Sequence, residues 1–249
     1  MKILITVSYY APHISGLTNS IKNLAEGLVE KGHEVSVLAT QHKKELAFVE
    51  SINRVHVKRV PYLLKLQKGF IMPFYIFPLI KEIWHNDSIL INLPQAEGVV
   101  AAFVGRLLGK NVVSVYACEV SLPKSFLASL IERVLTFSHL ITLTLSHRVV
   151  ALSDDYAKHT KLLRYFRNKT VGIYPYIQKP KIPPAPFNKG ENSLNSLPPL
   201  LKGGARRGGG FIIGFLGRIS AEKGLEYLLE TVPLLQKQLG DDFVIILAG

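Results

Sequence analysis

The sequence predicts an α/β protein: a doubly wound parallel sheet followed by the first βαβ unit of a second sheet. Three observations carry this. Short apolar runs alternate with helix-period segments over residues 1–178. A stretch without apolar periodicity follows at 179–210, and one further strand-helix-strand pattern fills 211–249. Strand-helix alternation sustained over such a length implies parallel strands joined by helical crossovers.

In order, "KILITVS" (Lys2 to Ser8) reads as the first strand. A helix follows with Ile21, Leu24, Ala25, Leu28 and Val29 on one face, closed by Gly32. "HEVSVLAT" is strand two. "DSILINLP" precedes a helix around Val99, Val100, Phe103 and Leu107 that ends at Gly109. "NVVSVYA" precedes a helix around Phe126, Leu130, Ile131 and Val134. "RVVALS", a helix from Asp154 to Tyr165, and "KTVGIYP" complete the series. After residue 210 come the strand "FIIGFLG", a helix around Leu225, Leu228, Leu229, Val232 and Leu235, and the strand "FVIILAG".

Residues 179–210 are rich in proline, glycine and serine and read as a flexible linker or insert. Within them "PFNKG" at Pro186 and "PLLKG" at Pro199 repeat thirteen residues apart. The expected organisation is therefore a domain over 1–178, the linker, and an incomplete second domain over 211–249. A unit of ~40 residues rarely buries enough surface to fold alone.

Among 249 residues, 48% are hydrophobic, ample for a core. The single cysteine, Cys118, excludes an intramolecular disulfide framework and fits a reducing compartment. The N-terminus lacks a signal-peptide cleavage site, and the longest apolar run, Gly69 to Ile80, is far short of the ~20 residues that span a bilayer. No transmembrane helix is expected. The net charge of +12 is uneven: residues 1–178 hold 21 Lys/Arg against 12 Asp/Glu, and residues 211–249 hold 3 against 5. A basic first domain suits anionic partners such as lipid headgroups or phosphorylated substrates. Nucleic acid is not expected, because no recognition signature accompanies the charge.

The candidate sites lie where strands run into helices. "PHISGLTNS" (Pro12 to Ser20) joins strand one to helix one, and Gly16 there permits close approach of a phosphate or sugar to a helix N-terminus, with Thr18 or Asn19 as cap. A plain strand-helix turn explains the same residues. Gly217-Arg218 ends a strand in the second unit and Lys223 opens its helix, so two cations can converge on one diphosphate; two ordinary surface cations are the alternative. Tyr116, Cys118 and Glu119 follow "NVVSVYA", where a carboxylate could hold a sugar hydroxyl or simply cap a helix. His13, His139, His147 and His159 lack metal-ligand spacing, so no metal is expected. The stretch from Val60 to Trp84 mixes Lys65, Lys68 and Lys81 with Phe70, Phe74, Tyr75, Phe77 and Trp84, which fits an interfacial helix on anionic lipid or, as Pro73 and Pro78 favour, ordinary core packing.

In their order and spacing, "SGLTNSIKNLAEGLVEKGHEVSVLAT", "VYACEVSLPKS", "VVALSDDYAKHT", "VGIYPYI" and "FLGRISAEKGLEYLLETVPLL" resemble the GT-B glycosyltransferases of family 4, retaining enzymes with two facing Rossmann-like domains. The resemblance covers the chain except 179–210. It implies transfer of a sugar from a nucleotide-sugar to a lipid-linked or polysaccharide acceptor, without metal or other cofactor, in the cytoplasm or on the inner face of the cell membrane. Gly16 and Gly217 match donor-side glycines. Arg218 and Lys223 match the basic pair that stabilises the departing nucleoside diphosphate, and Tyr116 and Glu119 fall on the acceptor side. Tyr116-Ala117 stands where many relatives carry a Tyr-His pair. Relatives continue past the position of Gly249 into a carboxylate pair that holds the nucleotide ribose, so the resemblance implies a truncated donor domain and impaired activity. A non-catalytic module docking on anionic membrane, or on a partner chain supplying the missing half, is the rival expectation.

Overall fold

The computed structural model describes residues 1–66, 69–120, 125–175, 211–217, 223–240 and 243–248. The chain divides into two compact units, Met1–Pro180 and Lys181–Gly249. The expected linker over 179–210 lies outside the described residues.

The first unit is built on a sheet of eight strands. In chain order these are β1 (Lys2–Val7), β2 (Glu34–Thr40), β3 (Val49–Ile52), β4 (Val55–Val60), β7 (Ser88–Leu93), β8 (Asn111–Tyr116), β9 (Arg148–Ala151) and β10 (Thr170–Gly172). A separate antiparallel hairpin, β5 (Leu64–Leu66) with β6 (Gly69–Ile71), lies between β4 and β7 in sequence. The sheet order is β10-β9-β8-β7-β1-β2-β4-β3. Every pairing is parallel except β3 with β4, which forms an antiparallel edge. The central strands are apolar on both faces because helices cover both: Ile89, Ile91 and Leu93 of β7 are wholly buried, as are Leu4 and Ile5 of β1.

The two faces carry separate cores. On one, α1 (Gly16–Glu30) packs Ile21 and Ala25 against Ile5, Val35, Val37, Val55 and Val57. On the other, α2 (Ile76–His85), α3 (Gly98–Leu107) and α4 (Phe126–Leu145) contribute Leu79, Ile83, Ala101, Ala102 and Leu143 to a cluster with Leu4, Leu38, Ile89 and Ile91. The inner ridge of α3 is made of small residues, Gly98, Ala101, Ala102 and Gly105, and so the helix axis lies close to β7 and β8. A Cβ on Gly105 would sit 2.5 Å from Ile89 Cδ1 and 2.9 Å from Val112 Cγ2.

Several expectations are corrected. The helix expected from Asp154 to Tyr165 is two pieces, α5 (Asp154–His159) and a 3-10 helix (Leu163–Lys169), because Thr160 is extended. The single helix expected in the second unit is likewise divided, into Leu225–Glu230 and Val232–Leu239, with Pro233 in the first turn of the latter. The stretch from Val60 to Trp84 is neither one interfacial helix nor one core helix. It is a hairpin plus α2, with Phe70, Met72 and Tyr75 buried and Phe74, Phe77 and Trp84 exposed. Pro78 falls in the first turn of α2, where its missing N–H costs no hydrogen bond. Among the described residues one helix, α4, is long and apolar enough by length and composition to cross a membrane, a test that a core helix also passes, so the expectation of no transmembrane helix is not overturned. Its Ala128, His139, Thr142 and Leu143 are buried, which fits a helix lying along the sheet.

In the second unit β11 (Phe211–Leu216) pairs in parallel with β12 (Phe243–Ala248). The Gly217 amide extends that ladder by donating to the Ala248 carbonyl at 2.8 Å.

Candidate functional site at the carboxyl edge of the sheet

The chain leaves β1 toward β2 on one side and returns at β7 on the other. Doubly wound sheets place ligands outside the carboxyl ends of their strands at this reversal. The residues gathered there follow β1, β2, β4, β7 and β8.

After β1, a loop leads to Ser15, which caps α1: its hydroxyl accepts from the Thr18 amide at 3.1 Å and lies 2.9 Å from the Thr18 hydroxyl. The expected caps, Thr18 and Asn19, are instead inside the helix, because the chain turns helical already at Gly16. Gly16 is exposed and a side chain there would meet nothing within 4 Å. Neither its backbone nor a neighbour demands glycine.

Beside this loop stands an aromatic and imidazole cluster that the sequence did not disclose. The Tyr9 ring lies 4.6 Å from His13, 5.6 Å from His42 and 5.0 Å from Phe70, with the two imidazoles 5.5 Å apart. Tyr62 packs on Phe70, and the Lys65 ammonium sits over the Phe70 ring. Burial pushes the His13 and His42 pKa values below the ordinary range, and nearby positive charge from Lys43 pushes the same way. Both rings are therefore neutral near pH 7, each able to donate one hydrogen bond and accept another. The signal was invisible in sequence because His13 and His42 meet only once β1 and β2 pair.

After β7, the Gln95 amide donates to the Thr6 hydroxyl at 2.7 Å and so ties this loop to β1 across the reversal. Asn92 is 1% exposed, yet neither its amide oxygen nor its nitrogen has a partner. Burial raises the Glu97 pKa. Unpaired polar groups and displaced carboxyl pKa values cluster where ligands bind.

After β8, Tyr116 is buried, edge-on to His139 at 6.1 Å and stacked with Tyr156 at 6.4 Å. Burial raises its pKa, so its hydroxyl stays protonated and its ring serves as a wall. Ala117 is buried as well, whereas Cys118 and Glu119 are exposed at the edge.

In the second unit Lys223 is exposed and precedes Gly224, whose φ of 64° opens the helix Leu225–Glu230 in a left-handed conformation that suits glycine. Arg218 lies outside the described residues, as does the geometry of its expected pairing with Lys223. Gly217 is described, at the end of β11.

Residues 14–178 match the family model described as Glycosyltransferase Family 4. The chain is similar to a GDP-mannose-dependent alpha-mannosyltransferase of Corynebacterium glutamicum, 25% identical over 244 aligned residues covering 92% of this chain and 54% of that protein. It thus spans about half the length of that curated relative. Among solved structures, HepE of Anabaena in complex with UDP-glucose superposes with a TM-score of 0.53 at 13% identity, over 100% of this chain and 69% of that one. The catalytic domain of starch synthase IV from Arabidopsis thaliana, bound to ADP and acarbose, gives 0.58 at 13% identity, over 99% and 68%. Sucrose-phosphate synthase from Thermosynechococcus elongatus gives 0.56 at 14% identity, over 100% and 70%. These likenesses establish the fold.

Proposed function

This chain belongs to glycosyltransferase family 4, and on that premise we propose that it serves the retaining transfer of a sugar from a nucleotide-sugar donor to a lipid-linked or polysaccharide acceptor. The observation that carries the proposal is the family match over 14–178, which takes in the Gly16 loop and the edge bearing Tyr116 and Glu119. Donors of this chemical class are bound by two of the similar proteins: the Anabaena structure holds UDP-glucose, and the Corynebacterium enzyme is named for GDP-mannose.

In this reading the N-terminus of α1 and the exposed backbone at Gly16 face the donor phosphates, where unpaired N–H groups favour negative charge. In the second unit, taken by itself, Gly217, Arg218 and Lys223 are the residues offered to a donor diphosphate. As the bond between the sugar and the diphosphate breaks, negative charge grows on the departing oxygen, and fixed cations stabilise that charge more than they stabilise the intact donor. The diphosphate charge is met by side chains, so the reading needs no metal or cofactor. Tyr116 acts as a buried wall and Glu119 as the exposed carboxylate on the acceptor side. With a lipid-linked acceptor, the reaction sits on the inner face of the cell membrane.

The test is calorimetric binding of nucleoside diphosphates and their sugar conjugates to the 249-residue chain, with Arg218→Ala and Lys223→Ala as variants. Binding that weakens in both variants is expected. Tight binding indifferent to both substitutions sinks the assignment of the cation pair, and no binding of any nucleoside diphosphate sinks the donor site.

A further inference from the structure

We propose that the outward face of α2, α3 and α4 is a docking surface for an anionic lipid bilayer. The three helices lie side by side, α3 between α2 and α4, and their inner residues share one core cluster against the sheet. Their outer residues therefore face the same side. There the chain presents large apolar groups among its exposed polar ones: Phe77 (69% exposed) and Trp84 (66%) on α2, Phe103 (59%) and Leu107 on α3, Val134 and Phe137 (64%) on α4. Large exposed apolar groups on three adjacent helices point to a binding surface.

Charge selects the occupant. Lys81 and Arg133 are exposed on this face, and among the described residues of the three helices no carboxylate is exposed: Glu82 is buried and paired with Lys58, and Glu132 is half-buried. Aromatic and aliphatic groups interleaved with cations, without acids, fit a helix layer lying in the interface plane of an anionic membrane. The layer is broad as well, since α4 with its 20 residues runs ~30 Å. Of the apolar window Ala128–Leu145, 22% is buried. The inference rests on the membrane location proposed above, not on the transfer chemistry.

The sequence supplies its own probe, because Trp84 is the only tryptophan. The full chain is mixed with phosphatidylcholine vesicles with or without 30% phosphatidylglycerol, at low and high salt; flotation reads binding, and Trp84 emission with and without brominated lipid reads immersion. We expect salt-sensitive binding to the anionic vesicles, a blue shift and quenching. The pair Phe103→Ser with Phe137→Ser should weaken that binding by about tenfold or more, from the lost apolar transfer. Lys81→Glu with Arg133→Glu should remove the preference for anionic over neutral vesicles, and Phe48→Ser, an exposed apolar residue off this face, should change nothing. Far-UV circular dichroism confirms that each variant folds. No flotation, flotation without change at Trp84, indifference to both paired variants, or a concentration-dependent Trp84 blue shift without vesicles, which would mark self-association, each overturns the proposal. Nucleotide binding, measured separately, is unaffected by failure here.

Discussion

The Arg59 guanidinium donates through Nη2 to the Ala11 carbonyl at 2.7 Å, so a side chain of β4 fixes the loop that leads from β1 to Gly16. Its Nη1 donates to the Ala47 carbonyl at 2.9 Å, and the group is ion-paired with Glu50 on the edge strand β3. The Arg59 side chain has no exposure, whereas Glu50 reaches solvent. Arg59→Met strands two carbonyls but leaves the carboxylate hydrated, so a loss of about 2–4 kcal/mol is expected. Urea unfolding checks this. The variant should also bind nucleoside diphosphate more weakly, and a loss below ~1 kcal/mol with unchanged binding would show that the tether positions nothing.

His139 gives the fold a pH dependence of defined sign. Burial beside Tyr116 lowers its pKa to about 4 from an ordinary 6.5, and its Nε2 has no partner. Between these values the unfolded chain binds a proton that the folded chain refuses, so stability falls as pH drops from about 6.5 toward 4. The full loss is up to ~3 kcal/mol. His13 and His42, also lowered, push in the same direction. Unfolding of the wild type and His139→Gln at pH 7 and pH 5 should show a smaller drop in the variant; equal drops would remove His139 from the account.

Two glycines separate packing from ligand approach. Gly105→Ala forces a methyl into Ile89 and Val112 and should cost about 1–3 kcal/mol without altering ligand affinity at fixed folded fraction. Gly16→Ala meets nothing within 4 Å, so its melting temperature should stay within a degree or two of wild type. If the donor phosphates approach Gly16 as proposed, Gly16→Ala lowers nucleotide affinity all the same. A stable Gly16→Ala variant with full affinity would count against that approach.

Lys223 is exposed and opens the first helix of the second unit. Loss of one charge-assisted contact to a diphosphate should weaken nucleotide binding by about 5- to 30-fold and flatten its salt dependence. Lys223→Arg should retain most of the affinity. Calorimetry at two salt concentrations distinguishes this from a solvated lysine, whose removal would leave both quantities unchanged.

The sequence by itself determined six of the eight strands of the main sheet, the helices α1, α3 and α4, and the family, because those signals are local. A run such as Ile89 to Leu93 declares a strand buried on both faces, and Ile21, Ala25 and Leu28 declare one face of a helix, from neighbours alone. It did not disclose the edge hairpin β3–β4 or the capping role of Ser15. Nor did it separate the buried half of the Val60–Trp84 stretch from its exposed half, since apolar residues at a water-facing and a core-facing position look alike in one dimension. What only the tertiary structure decided is convergence. Tyr9, His13 and His42 form one cluster, Gln95 reaches Thr6 across 89 positions, and Arg59 holds Ala11 across 48. Each depends on which strands lie side by side, and strand order is set by the packing of helices on both faces of the sheet rather than by any stretch of chain.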